Sequence, residues 1–212
     1  MYNEATVVSS VIQELLETFP HVVCVDDGST DDSAALARKA GAVVVAHPVN
    51  LGQGAALQTG IEYAVQDPQL DAVITFDADG QHRVQDAAAM LARIRAGEAD
   101  VVLGSRFLDG RGEVSALKRL VLRTAAIQSR ISTGYRLTDA HNGLRAISAD
   151  VARKIHLTQN RMAHASELVH QFAALNARVV EQPVHIVYTE YSKSKGQSLL
   201  NGINILADLF FR

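Results

Sequence analysis

Short apolar runs rich in β-branched residues alternate with helical patterns along most of this chain, and this alternation restricts the fold more than any other feature. Each run is too short for a buried helix and ends in a polar or glycine-bearing cluster. Such strand–helix alternation predicts a mostly parallel sheet covered by helices, the α/β class. We predict strands over 21–26, 42–46, 71–76, 100–104 and 179–188, and helices over 5–19, 32–39, 55–65, 84–95, 116–131 and 163–176.

Length and composition fit one globular domain that spans residues 1–212. Hydrophobic residues make up 48% and charged residues 20%, which excludes a disordered chain. The formal net charge of −3 gives no general attraction to nucleic acid, so we expect no nucleic-acid partner. The single cysteine, Cys24, excludes an internal disulfide, and we find no signal peptide and no apolar run of membrane-spanning length. We therefore expect a cytoplasmic location.

Polar clusters follow three of the predicted strands at their carboxyl ends. They are Asp26-Asp27, Asp77-Ala78-Asp79 and Ser105-Arg106. In open α/β sheets, ligands bind outside the carboxyl ends of the strands. We expect these clusters to converge on one cleft.

The carboxylates of Asp77 and Asp79 are a candidate site for a hard divalent cation. They can point toward the same small volume if the backbone bends where the strand ends. Mg²⁺ or Mn²⁺ needs only a few protein oxygens and leaves other positions for diphosphate oxygens, so these two carboxylates with Gln81 would be enough. The alternative is a polar turn whose acids are incidental.

Three further features near the cleft each have a functional and a structural interpretation. Asp27 could accept hydrogen bonds from a nucleobase or ribose, or it could belong to a turn and helix cap. The segment Gly52-Gln53-Gly54 lacks the third glycine of a dinucleotide-binding loop, which favours a tight turn before a helix. His82 could be a metal ligand or a sugar contact, although a histidine near a loop is more often solvated.

A basic group lies between the two halves of the chain. Arg106 is placed at a strand end, whereas Lys118, Arg119 and Arg123 recur at helical spacing on one face. Many such runs are solvated surfaces, but no acid four residues away neutralises this one. Arg106 is the best candidate of the four to grip a phosphate bidentately.

The motifs together resemble the family 2 glycosyltransferases, and within them the polyprenol-phosphate hexose transferase branch that includes dolichol-phosphate mannose synthase. The resemblance covers nearly the whole chain, and its specificity comes from the order and spacing of the motifs. They are Tyr2-Asn3-Glu4, Val25-Asp26-Asp27-Gly28-Ser29, Asn50-Leu51-Gly52-Gln53-Gly54, Asp77-Ala78-Asp79-Gly80-Gln81-His82, Gly104-Ser105-Arg106, Asp139, Asn142-Gly143-Leu144-Arg145 and Ser194-Lys195.

The resemblance implies a GT-A fold, which is a Rossmann-like mixed sheet, and inversion at the sugar carbon. It implies a GDP- or UDP-hexose donor with Mg²⁺ or Mn²⁺ as cofactor. The roles it implies are metal binding by Asp77, Asp79 and Gln81, and nucleotide-sugar binding by Tyr2, Glu4, Val25, Asp27, Asp77, Ala78, Arg106 and Lys195. It places Arg119 at the acceptor, and we add Arg123 and Arg145 to that group.

Three functional hypotheses remain open, and the first two differ in the acceptor. A polyprenyl phosphate is already an anion and needs no base. A saccharide hydroxyl, as in cell-surface polysaccharide assembly, would need one, and then Asp139 and Glu167 are the candidate catalytic carboxylates beside Asp79 and Arg106. A protein that binds nucleotide sugars without turnover is the third hypothesis.

Two departures from the family and one terminal pattern complete the expectations. The strand that normally precedes Tyr2 is missing, so we expect the sheet to lack its first strand. The family's arginine six residues before Lys195 is replaced by Thr189. The apolar face of a predicted amphipathic helix over about 197–211 could pack on the domain or lie on a lipid surface, which would make the protein peripheral at the cytoplasmic membrane face.

Overall fold

A computed structural model describes residues 1–108 and 133–187 of the chain. Helices and strands alternate there, as the sequence predicts. The helices are α1 (Val8–Leu16), α2 (Ser33–Lys39), α3 (Gln53–Ala64), α4 (Val84–Arg95), α5 (Ala149–Ala152) and α6 (His164–Ala174). The strands are β1 (Val23–Asp26), β2 (Val43–Ala46), β3 (Ala72–Thr75), β4 (Val101–Ser105), β5 (Arg145–Ser148) and β6 (Val179–Pro183).

The strands form two ladders. β1 and β2 pair in parallel, and the other four strands are ordered β3-β5-β4-β6. β5 is antiparallel to both β3 and β4, whereas β6 is parallel to β4. Three strands of the larger ladder therefore run in one direction, which confirms the mixed, mostly parallel architecture.

The outer edge of β1 carries a short backbone contact. The nitrogen of Met1 donates to the carbonyl of Val25 at 2.7 Å, and the nitrogen of Asp27 donates to the carbonyl of Met1 at 3.0 Å. Within residues 1–108 and 133–187, no backbone ladder joins β1 to β3. The absence of a first strand stays a prediction.

Helix α1 shows why the predicted elements form and why their ends shift. Its buried residues Val8, Val11, Ile12 and Leu15 follow helical spacing and pack on β1 and its neighbours. The prediction began three residues earlier and ended three residues later, because terminal turns lack intrahelical partners. α4 has its predicted bounds, and Gly97 after it has the positive φ of 70° that suits a helix end.

The core lies on both sides of β4, which is buried along its whole length. Val101 and Leu103 face the cluster that contains Phe172 of α6, whereas Val102 faces the cluster that contains Met90 of α4. This alternation follows from the two-residue period of a strand. The result is a sheet with a helical layer on each face.

The direction of β5 brings an unexpected segment to the cleft. Thr75 of β3 and Leu103 of β4 both lie opposite Arg145, the first residue of β5. Because β5 is antiparallel, its amino end lies at the edge where β3 and β4 end. The loop that precedes β5 therefore joins the strand-end clusters.

Several expectations fall outside the described residues. They are the basic helix over 116–131 with Arg119 and Arg123, the motif with Lys195, Thr189, and the helix over 197–211. None of the described helices is both long and apolar enough to cross a membrane. The single-domain organisation over 1–212 stays a prediction.

We predict that Phe172→Ala destabilises the protein by about 3–5 kcal/mol, because Phe172 is 0% exposed and its removal leaves a cavity between α6 and β4. Urea denaturation followed by circular dichroism measures this loss. Glu14→Ala on the exposed face of α1 is the control, with a change within about 0.5 kcal/mol. A loss of similar size in both variants would contradict the assigned core.

Candidate active site

The backbone bends after β3 in the way that the paired carboxylates require. The strand ends at Thr75, and a turn that contains Gly80 at φ 75° follows. The backbone nitrogen of Gln81 donates to Oδ1 of Asp79 at 3.0 Å and closes this turn. Asp77 and Asp79 therefore leave the alternation of the strand and lie on one turn, with Ala78 between them.

Two hydrogen bonds and one close backbone contact fix the carboxylate of Asp77. His82 donates from Nε2 to Oδ2 at 3.1 Å, and Gln53 donates from Nε2 to Oδ1 at 3.1 Å. Gly143 lies so close that an ideal Cβ there would overlap Oδ2 and lie 2.8 Å from Cγ. The Asp77 side chain still keeps 37% of its surface exposed. It is fixed in position but remains accessible.

His82 is buried rather than solvated, so the solvated interpretation of this residue was wrong. Its ring meets the Phe76 ring edge to face, with centroids 5.4 Å apart. Because an ionised carboxylate only accepts hydrogen bonds, the proton must lie on the nitrogen that faces Asp77. His82 positions a carboxylate of the site.

The two carboxylates carry opposite pKa shifts. Burial would raise the pKa of Asp77, but the hydrogen bond from His82 and the charges of His82 and Arg145 outweigh it and lower the pKa. Burial raises the pKa of Asp79, and the negative charges of Asp77 and Glu4 raise it further. The turn is thus a concentration of negative charge that a cation would relieve.

Arg145 lies beneath this turn and is only 2% exposed. Burial lowers the pKa of its guanidinium, and the charges of Asp77 and Asp139 oppose that shift. Its Nη1 has no hydrogen-bond partner among the described residues. We predicted an acceptor contact for Arg145, but the structure places it inside the fold as the counter-charge of two carboxylates.

Arg106 and Asp139 form a bidentate ion pair at the carboxyl end of β4. Arg106 donates from Nε and Nη2 to the two carboxylate oxygens at 2.6 and 2.8 Å, and its backbone nitrogen donates at 3.2 Å. The Asp139 side chain is 0% exposed, whereas that of Arg106 is 31% exposed. Asp139 therefore fixes the position of the Arg106 side chain, which remains partly exposed.

Asp27 organises the glycine-bearing loop before α3. Its oxygens accept hydrogen bonds from His47 Nδ1 at 2.8 Å and from the backbone nitrogens of Leu51 and Gly52 at 2.9 and 2.8 Å. Although burial alone would raise the pKa of Asp27, these hydrogen bonds lower it. This loop leads into Gln53, the first residue of α3, which contacts Asp77. Asp27 therefore helps to position the site, and its contact with a nucleotide stays a prediction.

Glu167 holds the segment 158–159 by hydrogen bonds, as Asp27 holds the loop before α3. Its carboxylate accepts hydrogen bonds from the backbone nitrogens of Thr158 and Gln159 and from the Thr158 hydroxyl, at 2.7–3.1 Å. These contacts outweigh burial, which would raise the pKa of Glu167, and they lower it. The candidate base is thus occupied with holding a loop.

The amino-terminal motif lies beside the loop that follows β1. The backbone nitrogen of Glu4 donates to the Ser33 hydroxyl at 2.7 Å, and that of Asn3 donates to the Ser29 hydroxyl at 3.0 Å. Tyr2 is exposed, whereas Val25 is buried. The nucleotide contacts expected of Tyr2, Glu4 and Val25 stay predictions.

The donor set fits a hard divalent cation. Its members are oxygen ligands on one turn, Asp77 and Asp79 with Gln81, and their negative charges act on each other. No group of three or more His, Cys, Asp or Glu side chains in the described ranges could hold a metal alone. Such a site would therefore depend on Gln81, substrate oxygens or water to complete the coordination, as Mg²⁺ and Mn²⁺ sites commonly do.

Sequence reasoning assigned no role in the site to three residues that shape it. They are Gln53 and Gly143, which contact Asp77, and His47, which links Asp27 to the Thr59 hydroxyl. Gln53 had a signal, since it lies between two glycines at the start of a helix. Gly143 had one too, because it belongs to the motif Asn142-Gly143-Leu144-Arg145, whereas His47 had none, because only the fold brings it to Asp27.

The fold is similar to that of glucosyl-3-phosphoglycerate synthase from Mycobacterium tuberculosis, solved in complex with Mn²⁺ and uridine-diphosphate-glucose. The TM-score is 0.69 at 20% identity, over 90% of this chain and 69% of that one. With its mixed sheet and strand-end carboxylates, the protein has the GT-A fold.

The family model "Glycosyl transferase family 2" matches residues 1–156. The chain is 30% identical to the polyprenol monophosphomannose synthase of Mycolicibacterium smegmatis, over 99% of this chain and 82% of that protein. It is 26% identical to the UDP-N-acetylglucosamine–dolichyl-phosphate N-acetylglucosaminyltransferase of Methanococcus voltae, over 96% and 90%. The chain belongs to glycosyltransferase family 2, as its motifs predicted, and it is similar to members named for polyprenol-type phosphates.

We predict that Gly143→Ala reduces turnover at least about tenfold, because the added methyl group must displace the Asp77 carboxylate. Steady-state kinetics and titration with Mn²⁺ measure the effect on activity and on metal binding. Gly60→Ala in α3 is the control, since its Cβ would make an ordinary 3.4 Å contact with the side chain of Val25 in β1. Equal activity and equal Mn²⁺ affinity in Gly143→Ala and the wild type would show that the Asp77 geometry is unimportant.

We predict that Asp27→Asn destabilises the fold by about 2 kcal/mol near neutral pH, because the hydrogen bonds to a buried carboxylate are weakened. The folded-state pKa of Asp27 lies below the ordinary value of 3.8, so its stabilisation is present above that pH and is lost as pH falls through the lower pKa. Urea denaturation from about pH 7 to about pH 3 measures the difference, which should shrink as the pH falls toward and below 3.8. A difference that is constant with pH would contradict a role for the ionised carboxylate.

Proposed function

We propose that the protein transfers a hexose from a nucleotide-diphosphate sugar to a polyprenyl phosphate, with inversion and with the help of Mg²⁺ or Mn²⁺. The observation that carries this proposal is the fixed but accessible pair of carboxylates after β3, in a family 2 chain similar to polyprenol-phosphate transferases. The donor base is uracil or guanine, and the structure favours neither.

Asp77, Asp79 and Gln81 would hold the metal ion, which would neutralise the charge of the departing nucleoside diphosphate. His82 and Gln53 keep the Asp77 carboxylate in place before substrate binds, so little reorganisation is needed during the reaction. An acceptor oxygen then forms a bond to the anomeric carbon while the bond to the diphosphate oxygen breaks.

The state of the two candidate bases favours a phosphate acceptor over a saccharide hydroxyl. Asp139 accepts three hydrogen bonds from Arg106, and Glu167 accepts hydrogen bonds from the segment 158–159. Neither carboxylate is available to remove a proton without the loss of its partner. A phosphate acceptor is already ionised and needs no base, and Arg106 presents a guanidinium that suits a phosphate.

A lipid-phosphate acceptor also implies a place of action. We propose that the protein works peripherally at the cytoplasmic membrane face. The similarity to relatives named for dolichyl and polyprenol phosphates supports this proposal.

Incubation with radiolabelled UDP- and GDP-hexoses, Mg²⁺ or Mn²⁺, and either a polyprenyl phosphate or an oligosaccharide tests the function. We expect an organic-soluble labelled product only with the lipid phosphate. A labelled oligosaccharide would support the polysaccharide hypothesis, and tight binding of the nucleotide sugar without transfer or hydrolysis would support a binding protein.

We predict that Asp79→Ala lowers turnover about a hundredfold or more, the magnitude expected for the loss of a main electrostatic stabiliser of the transition state. Initial rates across a range of Mn²⁺ concentrations measure the loss. Glu14→Ala, an exposed acid on α1, serves as the charge-matched control. Unchanged activity with unchanged metal dependence in Asp79→Ala would overturn the assignment of this site.

A further inference from the structure

The backbone segment 158–161 crosses directly over the glycine-bearing loop before α3. The nitrogen of Gly54 donates to the carbonyl of Asn160 at 2.8 Å. An ideal Cβ at Gly52 would overlap the Asn160 carbonyl oxygen, and one at Gly54 would overlap the Gln159 carbonyl oxygen. Two positions therefore require glycine so that this crossing segment can approach.

The other side of the crossing segment is held by α6. Glu167 accepts hydrogen bonds from Thr158 and Gln159, and the carbonyl of Arg161 accepts from the His164 backbone nitrogen at 3.1 Å and from its Nδ1 at 2.7 Å. The backbone of an exposed loop is thereby fixed at both ends. A loop that only connected α5 to α6 would not need such close restraint.

The crossing segment ends in Arg161, whose side chain is exposed. Its Cγ lies 3.3 Å from the ideal Cβ position at Gly52, so the aliphatic stem runs along the loop that carries Gln53 to Asp77. The guanidinium forms no ion pair or hydrogen bond with other residues in 1–108 or 133–187. Arg161 is a cation whose stem packs against Gly52, the residue before Gln53, and Gln53 contacts Asp77.

The charges of the nearby arginines and of the substrates indicate a role for the Arg161 guanidinium. Arg145 is buried and Arg106 is paired with Asp139, whereas the substrates of the proposed reaction carry several phosphate charges. Because the aliphatic part of Arg161 already packs against Gly52, its guanidinium loses little further conformational entropy when it binds a phosphate. A fully solvated arginine would need no fixed backbone and no pair of glycines beneath it.

We propose that Arg161 is a substrate-binding residue that contacts a phosphate group, and that Glu167 is a positioning residue that presents it. The phosphate belongs either to the donor diphosphate or to the acceptor, and both share the same chemistry. This proposal deepens the proposed function and rests on it for the identity of the substrates.

Arg161→Ala and Arg161→Lys test the contact, with Arg38→Ala as a matched control. Arg38 is an exposed arginine in the last turn of α2, which runs away from the carboxyl edge of β1 where the site lies. Steady-state kinetics give the KM for the nucleotide sugar and for the lipid phosphate separately. Calorimetric titrations with UDP or GDP in the presence of Mn²⁺, and with inorganic phosphate, measure binding without turnover.

We expect Arg161→Ala to raise one of the two KM values about tenfold or more, with partial recovery in Arg161→Lys and no change in Arg38→Ala. A rise for the nucleotide sugar, with weaker UDP or GDP binding, assigns the donor diphosphate. A rise for the lipid phosphate, with weaker phosphate binding, assigns the acceptor. Values within twofold of the wild type for both substrates and both titrations overturn the proposal.

The role of Glu167 is tested by Glu167→Gln alone and in the Arg161→Ala background. A positioning residue raises the same KM as Arg161→Ala and adds no further effect in the double variant. A catalytic base lowers kcat, removes one limb of the pH profile and adds its effect to that of Arg161→Ala. The second pattern overturns the positioning role.

The failures of the two proposals can be told apart. If the wild type transfers no sugar to either acceptor, the proposed function fails, but the titrations still compare Arg161→Ala with the wild type. Weaker nucleotide or phosphate binding in that variant would then support the contact on its own, and equal binding would overturn it.

Discussion

The site depends on the buried positive charge of Arg145 between Asp77 and Asp139. Asp139 is buried and Asp77 is partly exposed, and the charge of the one guanidinium acts on both carboxylates. Asp77 lies beside Asp79 after β3, whereas Asp139 anchors Arg106. The turn after β3 and the Arg106–Asp139 ion pair are therefore both influenced by one internal cation. The neighbouring imidazoles of His141 and His164 have pKa values lowered by burial and by that cation, so they add little positive charge.

Close backbone approach is the second constraint, and it explains where glycine occurs. Gly143 leaves room for the Asp77 carboxylate, while Gly52 and Gly54 leave room for the segment 158–161. Each approach lets a loop from a distant part of the chain support the turn after β3. Substrate-facing groups are consequently held by several elements at once, which is the preorganisation that transferase chemistry requires.

The carboxylates near the site differ in the hydrogen bonds that they accept from the protein. Asp27, Asp139 and Glu167 all accept several hydrogen bonds from the protein, so their charges are used to shape loops and to hold Arg106. Asp79 differs, because its pKa is raised by burial and by neighbouring negative charge. Asp79 thus lies in an excess of negative charge, whereas the neighbouring carboxylates are hydrogen-bonded to the protein. Such an arrangement suits a reaction that needs a cation and an ionised acceptor.

The sequence by itself determined the alternation of strands and helices, the family, and the turn that carries Asp77 and Asp79, since these depend on local periodicity and short motifs. It also indicated that the strand-end clusters would converge, because parallel strands end at one edge of a sheet. Only the tertiary structure decided which of these residues are buried and which remain accessible. The antiparallel direction of β5 brings Asp139, Gly143 and Arg145 to the same edge, where Arg145 is buried and its charge acts on Asp77. Glu167 holds the segment 158–159 by hydrogen bonds. No local pattern encodes the contacts between the segment before β5 and the end of β3, because Thr75 and Gly143 are 68 residues apart and meet only when the sheet has formed.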